Sequence, residues 1–208
     1  MSEALPGPAD YPPAPWHMHG SLWLSAFRLA HDADARHPAG TYGVALVDYV
    51  EPSPLTYGEL LVARTTRTED GRRAVTITDI WVDSPASLAG GRALWAIPKQ
   101  LCDFDLESSF RGPVTSTDWT ATIDRRAIVD ASFTDVSRAA PRVPSKGLVV
   151  QPPIDDHTEP VTVMMTGSAR ALPCRGRWSF AADGPLAFLR EARQLASFRM
   201  ASFRLDFS

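Results

Sequence analysis

The sequence predicts a mainly β protein with a few helices, its antiparallel strands forming a curved sheet. Three observations predict this. About nine or ten short segments are rich in β-branched and aromatic residues, and several alternate apolar with polar positions, the period of a half-buried strand. Turn residues separate them. Only the stretches after Ser84-Pro85 and Gly184-Pro185 open like helices.

Residues 1–15 hold five prolines and little that can pack. They are expected to be extended and to lie against the fold or a neighbouring subunit. Residues 16–208 are expected to form one domain. Ser21 to Leu29 alternates loosely through Leu22, Leu24 and Ala26 and predicts a strand. His31 to Pro38 is polar and reads as a loop or short helix. Thr41 to Val50 predicts a strand, and Glu51 to Pro54 a turn. Tyr57 to Thr66 and Arg73 to Val82 read as a hairpin joined by Glu69-Asp70-Gly71.

Ser84 as cap and Pro85 in the first turn start a helix that runs to about Trp95. Pro98 biases Ile97 towards extended backbone and ends it. Strands then resume over Leu101 to Glu107, Thr117 to Asp124 and Ala127 to Thr134. Trp119, Ala121 and Ile123 share one face, as do Ala127, Val129, Ala131 and Phe133, with a tight turn at Asp124-Arg125-Arg126. Five prolines make residues 138–160 read as a long irregular connection with Leu148-Val149-Val150 to bury. Val161 to Met165 and Ala171 to Phe180 predict strands. Gly184-Pro185 opens a helix to about Ala196 with Leu186, Leu189, Ala192 and Leu195 on one side, and Phe198 to Phe207 predicts a final strand. This pattern is equally compatible with a closed barrel and a sandwich.

The composition excludes several classes. At 208 residues, 44% hydrophobic and 22% charged, the chain can build a substantial core. Its net charge of −3, without a basic block, argues against a nucleic-acid partner. No apolar run approaches the roughly 20 residues of a membrane helix. The first residues lack the basic and apolar regions of a signal peptide, and Cys102 and Cys174 are too few for a disulfide framework. A cytoplasmic protein is expected.

Positive charge is unevenly distributed between residue types. Nineteen of the 21 cationic residues are arginine; the lysines are Lys99 and Lys146. Lys99 follows Leu94-Trp95-Ala96-Ile97-Pro98, an apolar setting for a lysine. Lysine, unlike arginine, loses its proton when desolvated, so Lys99 is a candidate nucleophile. A lysine that lays its stem on a hydrophobic patch would account for the same pattern.

Gly91-Arg92-Ala93-Leu94-Trp95-Ala96-Ile97-Pro98-Lys99-Gln100-Leu101 resembles the signature of the acetoacetate decarboxylase-like superfamily, a Gly-Arg-Glu followed by an apolar stretch and Pro-Lys-Lys-Leu. Tyr11 to Trp16 resembles its N-terminal stretch, Leu55-Thr56-Tyr57-Gly58-Glu59-Leu60 the strand bearing its active-site glutamate, and Ile80-Trp81-Val82-Asp83 a strand ending in aspartate. The resemblance implies a β-cone or barrel around the lysine and Schiff-base chemistry on a keto acid without a cofactor or metal. It implies Lys99 and Glu59 as catalytic residues, with His19, Ser21, Ile80 and Ile97 contacting substrate. Decarboxylation of a β-keto acid is the first expectation; aldol or dehydration chemistry on a 2-keto acid is the alternative. A homo-oligomer is expected.

An ordinary lysine, with a pKa of about 10.4, holds little free amine at neutral pH, so the site is expected to desolvate Lys99. A carboxylate touching the amine would oppose this, so Glu59 is expected to stand off, to be protonated or to be outweighed. The chain also departs from the pattern. Gln100 replaces the second lysine and Ala93 the glutamate. The arginine that would bind a substrate carboxylate falls at Ser21, with His19 nearby and Arg28 poorly placed. These departures point away from acetoacetate itself. Two rival readings remain: a metal site from His17, His19, His31, Asp32, Asp34 and His37, and a binding protein without catalysis. Cys102 reads as a small buried thiol.

Overall fold

The computed structural model describes residues 11–136 and 140–208. Most of the chain in these ranges is extended. The strands are β1 (Trp16–Leu29), β2 (Gly40–Tyr49), β3 (Tyr57–Arg67), β4 (Arg73–Val82), β5 (Lys99–Leu101) and β6 (Asp103–Arg111). They continue with β7 (Val114–Ile123), β8 (Arg126–Asp135), β9 (Arg142–Gln151), β10 (Val161–Pro173), β11 (Arg175–Phe180) and β12 (Arg193–Phe207). One helix, α1 (Pro85–Trp95), interrupts them.

The strand order β3-β2-β1-β12-β10-β9-β4, closed by the β3–β4 hairpin, makes a seven-stranded barrel. The expected curved sheet is therefore closed rather than a sandwich of two open sheets. β5 attaches in parallel to the end of β4, with Lys99 opposite Ile80. A separate four-stranded sheet, β11-β8-β7-β6, packs over the outside of β1–β3.

The barrel wall thus separates two apolar regions. Trp16, Met18, Val47, Ile77, Ile80 and Val149 belong to the inner cluster. Trp23, Val44, Leu46, Leu60, Val62 and Trp81 join Trp119 and Phe133 in the outer one. Because β2 is covered on both faces, Val44-Ala45-Leu46-Val47 is buried without a break, whereas a one-sided strand would alternate.

One seam of the barrel is weak. β4 and β9 share a single parallel bridge, Val75 to Val149. The fully buried Gln151 compensates with its side chain: its Oε1 accepts from the Ile77 N–H at 2.8 Å and its Nε2 donates to the Ile77 carbonyl at 3.2 Å. Where β9 leaves β4, β5 takes its place, and this admits Lys99 to the interior.

α1 has the predicted limits. Ser84 Oγ accepts from Ser87 N–H at 3.2 Å, and Pro85 stands in the first turn, where a missing N–H costs nothing. The helix ends at Ala96, in the left-handed region (φ 54°), with Ala96 N–H bonded to the Arg92 carbonyl and Ile97 N–H to the Gly91 carbonyl. The first described residues pack onto this helix. Trp16 Nε1 donates to the Pro12 carbonyl at 2.8 Å, and a Cβ at Gly90 would lie 2.7 Å from the Trp16 ring and 3.1 Å from Tyr11 Cβ. Residues 1–10 of the proline-rich segment lie outside the described residues.

Two expectations are corrected. The connection read as irregular over 138–160 contains β9, which pairs with β10 over ten positions from Arg142–Arg170 to Gln151–Val161; residues 137–139 lie outside the described range. Its prolines hid the strand. Among the described pairings only Val149 bridges β4, so Pro144 sits along what is effectively a free edge, where a missing donor is tolerated. The predicted helix over 184–196 is only a 3-10 turn, Ala187–Glu191, after which β12 begins at Arg193. Leu186 and Leu189 are buried as the spacing implied, but the β12–β1 ladder, twelve paired positions long, takes the rest. Long-range pairing overrides a weak helical period there. A smaller departure is a bulge at β7–β8, which buries Ile128 and leaves Ala127 exposed.

Gly20 marks a tight point in the wall. A Cβ there would fall 2.0 Å from the Asp48 carbonyl oxygen, a backbone atom that cannot swing aside. Gly20→Ala is expected to cost about 2 kcal/mol or more, as overpacking does, and to lower Tm by several degrees in a thermal melt. An unchanged Tm would show that the β1–β2 pair can spread.

Candidate active site

The barrel encloses a cavity of about 450 Å³. Trp16, Trp95, Ile97 and Lys99 stand at its closed end beside α1, and Thr41, Thr65, Ser145 and Lys146 at its open end. Most of its wall is apolar. Alternation along the strands decides which residues reach it: Leu22, Leu24 and Ala26 from β1, Gly43 and Ala45 from β2, and Tyr57, Glu59, Leu61 and Ala63 from β3.

Lys99 is 4% exposed and Glu59 is 3% exposed. Lys99 Nζ donates to Ser87 Oγ at 2.8 Å, to Glu59 Oε2 at 3.0 Å and to Tyr57 Oη at 3.3 Å. Tyr49 Oη donates to the other carboxylate oxygen, Glu59 Oε1, at 3.1 Å. Each partner has a structural origin. Tyr57 and Glu59 are two apart on β3 and share a face, and Tyr49 is paired with Tyr57 across β2–β3. Ser87 and Gly91 are one helical turn apart on the buried side of α1. A Cβ at Gly91 would lie 2.7 Å from Lys99 Cδ, so the absence of a side chain there lets the lysine stem pass under the helix.

A loop beyond β9 secures the helix end. Arg92 makes two bonds of 2.8 Å to the Asp155 carboxylate and donates to the Lys99 carbonyl at 3.1 Å. His157 Nε2–H donates to the Arg92 and Ala93 carbonyls at 3.1 Å. The arginine of the Gly-Arg pair therefore holds the Lys99 backbone in place.

Burial disfavours the charged amine of Lys99, but the adjoining Glu59 carboxylate, with Tyr57, outweighs it and holds the pKa above the ordinary 10.5. Of the three expected arrangements of Glu59, the stand-off is excluded by the 3.0 Å contact, and desolvation does not outweigh the carboxylate, so the resting lysine is protonated at neutral pH. Burial pushes Tyr57 up to about 12 despite the nearby lysine. Burial, reinforced by Glu59, raises Tyr49 well above 10. Both phenols remain hydrogen-bond donors.

The structure brings together Lys99, Glu59, Ile80 and Ile97, all of which line the cavity. It does not bring His19 or Ser21 there. Both are odd-numbered residues of β1, whereas the even-numbered Leu22, Leu24 and Ala26 face the interior; the His19 N–H is bound by Ser53 Oγ at 2.8 Å. Arg28 is also outside the lining, its guanidinium 3.4 Å from Thr41 Oγ1. Tyr57, Tyr49 and Ser87 were missed. A period-two reading from Glu59 reaches Tyr57, but Ser87 meets Lys99 only once α1 has packed.

The groups named in the rival readings are placed elsewhere. His37 lies between Asp34 and Asp79, at 2.9 and 2.8 Å, and stacks on Phe188; His17 pairs with Asp206. Among the described residues no group of three or more His, Cys, Asp or Glu is arranged to hold a metal. Burial pushes the Cys102 thiol up to about 12, so it is a poor nucleophile. Among the described residues no helix is long and apolar enough to cross a membrane.

A family model described as acetoacetate decarboxylase (ADC) matches residues 32–169. No curated protein sequence matches the chain. Among solved structures, the enduracididine biosynthesis enzyme MppR with HEPES buffer bound is 17% identical with a TM-score of 0.63, covering 94% of this chain and 86% of that one. An acetoacetate decarboxylase from Legionella pneumophila is 12% identical with a TM-score of 0.62, covering 95% and 85%. An acetoacetate decarboxylase-like enzyme from Sphingomonas wittichii is 15% identical with a TM-score of 0.58, covering 93% and 90%. At these identities the likeness establishes the fold.

With only two lysines, ¹⁵N-lysine labelling reads Lys99 almost alone. Its Nζ resonance is expected to keep its proton well into the alkaline range. Glu59→Gln removes the carboxylate that holds the charge and leaves burial dominant, so the transition should move to lower pH. An unmoved transition would show that another group sets the charge of Lys99.

Proposed function

This chain belongs to the acetoacetate decarboxylase family, and we propose that it is a lyase whose Lys99 forms a Schiff base with a keto acid, the reaction being decarboxylation of a β-keto acid. The observation that carries this reading is a buried lysine in contact with a buried carboxylate at the closed end of an apolar cavity. Lys99 and Glu59 are the catalytic residues in this reading.

The raised pKa of Lys99 is compatible with a nucleophile because its partner is an acceptor. Moving one proton across the 3.0 Å contact turns ammonium and carboxylate into amine and carboxylic acid. The net charge of the pair is unchanged, so low dielectric does not oppose the reactive form as it would an isolated ion. The amine then attacks the keto carbon. Protonated Glu59 supplies the proton with which the carbinolamine oxygen leaves as water. The protonated imine accepts the electron pair of the bond to the carboxylate, and carbon dioxide departs. Glu59, left as a carboxylate by the loss of water, takes up a proton from solvent and passes it to the enamine carbon, giving the protonated imine of the product, and water releases the ketone and regenerates Lys99.

The charge of the cavity favours this over retention of the carboxylate. Among the described residues lining the cavity, the acid and base side chains are Glu59, Lys99 and Lys146, and the last is at the open end. A 2-keto acid that kept its carboxylate would leave it without a cation of its own beside Lys99. A β-keto acid loses that charge as carbon dioxide, which apolar surroundings assist. Lys146, with Arg67 and Arg73 on the adjoining rim, gives the open end a positive field that suits an anionic substrate. The MppR structure complexed with the condensation product of pyruvate and imidazole 4-carboxaldehyde motivates including 2-keto acids in any screen. A binding protein without catalysis is the second reading, favoured by the ion-paired resting state of Lys99.

Borohydride reduction in the presence of β-keto and 2-keto acids is expected to fix substrate to the Lys99 peptide, read by mass spectrometry. Lys99→Ala should abolish both the adduct and carbon dioxide release. Lys99→Met combined with Glu59→Gln should do the same without leaving a buried charge unpaired. Glu59→Gln alone should slow turnover by roughly 10²–10⁴-fold. Binding with no adduct across the panel would establish the second reading.

A further inference from the structure

The cavity is larger than a short keto acid requires. At roughly 30 Å³ for each water-sized group, its volume of about 450 Å³ accommodates about fifteen non-hydrogen atoms. Acetoacetate would leave roughly half of that space empty. An apolar void is costly unless it is filled, and this one runs from the reactive amine to an exposed end.

The shape is written into the strand register. Ala26 is paired with Gly43, and Gly43 with Ala63, so three small residues lie side by side across β1, β2 and β3. All three face the interior, in the row next to Thr41 and Thr65 at the open end. The neighbouring row is Leu24, Ala45 and Leu61. The small row keeps a bore open where leucines at the same positions would close it.

We propose, on the reading that Lys99 takes the keto group, that the substrates are medium-chain β-keto acids of about eight to twelve carbons. The alkyl tail occupies the bore, and the row Ala26–Gly43–Ala63 sets the chain length. Tail burial is uniform along the apolar wall, so kcat/KM rises by roughly fourfold for each added methylene until the chain reaches the polar open end.

Carbon dioxide release is measured for straight-chain β-keto acids from four to fourteen carbons. A maximum in kcat/KM near ten carbons is expected, and Ala63→Phe should move it to shorter chains. Ala26→Leu is the milder variant should phenylalanine disturb folding. A profile that is flat with chain length, or a maximum that neither folded variant moves, overturns the proposal. Calorimetric binding of butyrate and decanoate to Lys99→Met/Glu59→Gln separates the tail site from the chemistry. Tighter binding of decanoate, lost on adding Ala63→Phe, supports the tail site even if no keto acid is turned over, in which case the Schiff-base reading alone fails. Equal binding of the two acids, with acetoacetate turned over as well as any longer chain, defeats the tail site alone.

Discussion

The contact between Lys99 and Glu59 is the constraint to which much of this molecule is fitted. Taking either ion out of water costs several kcal/mol, and their attraction repays this only when the remaining hydrogen-bonding capacity is filled. Ser87, Tyr57 and Tyr49 fill it, from three different elements. The geometry also needs a close approach of helix and lysine, which Gly91 permits. Removing one ion alone leaves the other buried and unpaired, a penalty of about 3–5 kcal/mol in comparable cases. The site therefore contributes to stability as well as to the proposed chemistry, and the two roles are difficult to separate with single substitutions.

The barrel is built around admitting that lysine. A fully paired ring would leave no opening for a side chain from a strand outside it. The single bridge between β4 and β9 provides the opening, and Gln151 replaces the lost backbone bonds there with its own amide. β5 fills the vacated edge and delivers Lys99 inward. The loop carrying Asp155 and His157 then closes over the end of α1, satisfying carbonyls that a helix terminus leaves free. The weak seam, the lysine strand and the capping loop form one arrangement, although they are separated in the sequence.

The same arrangement gives the lysine a chemistry different from that of an isolated buried amine. Desolvation alone would lower its pKa, and the carboxylate reverses the sign. In the proposed reaction the reactive amine arises by proton transfer inside the pair rather than by loss of a proton to solvent. The acid that the proposed reaction uses to expel water is produced in that same transfer.

Local sequence determined those features that rest on local physics. Ser84 and Pro85 start α1, Pro98 follows its end, Glu69-Asp70-Gly71 turns the β3–β4 hairpin, and an isolated lysine after an apolar run marks the buried amine of the cavity. Where long-range pairing competes with local pattern, the sequence was silent or misleading. Prolines concealed β9, because a free strand edge tolerates them and nothing local reveals that edge. The β1 ladder claimed the residues that otherwise read as a second helix. His19 and Ser21 were placed by analogy along the chain, but strand parity turns them away from the cavity. Only the tertiary structure decided that Ser87 and Tyr57 meet Lys99, that Glu59 touches it and that the amine rests protonated, because a pKa in a dry site is set by neighbours that the chain brings together from distant positions.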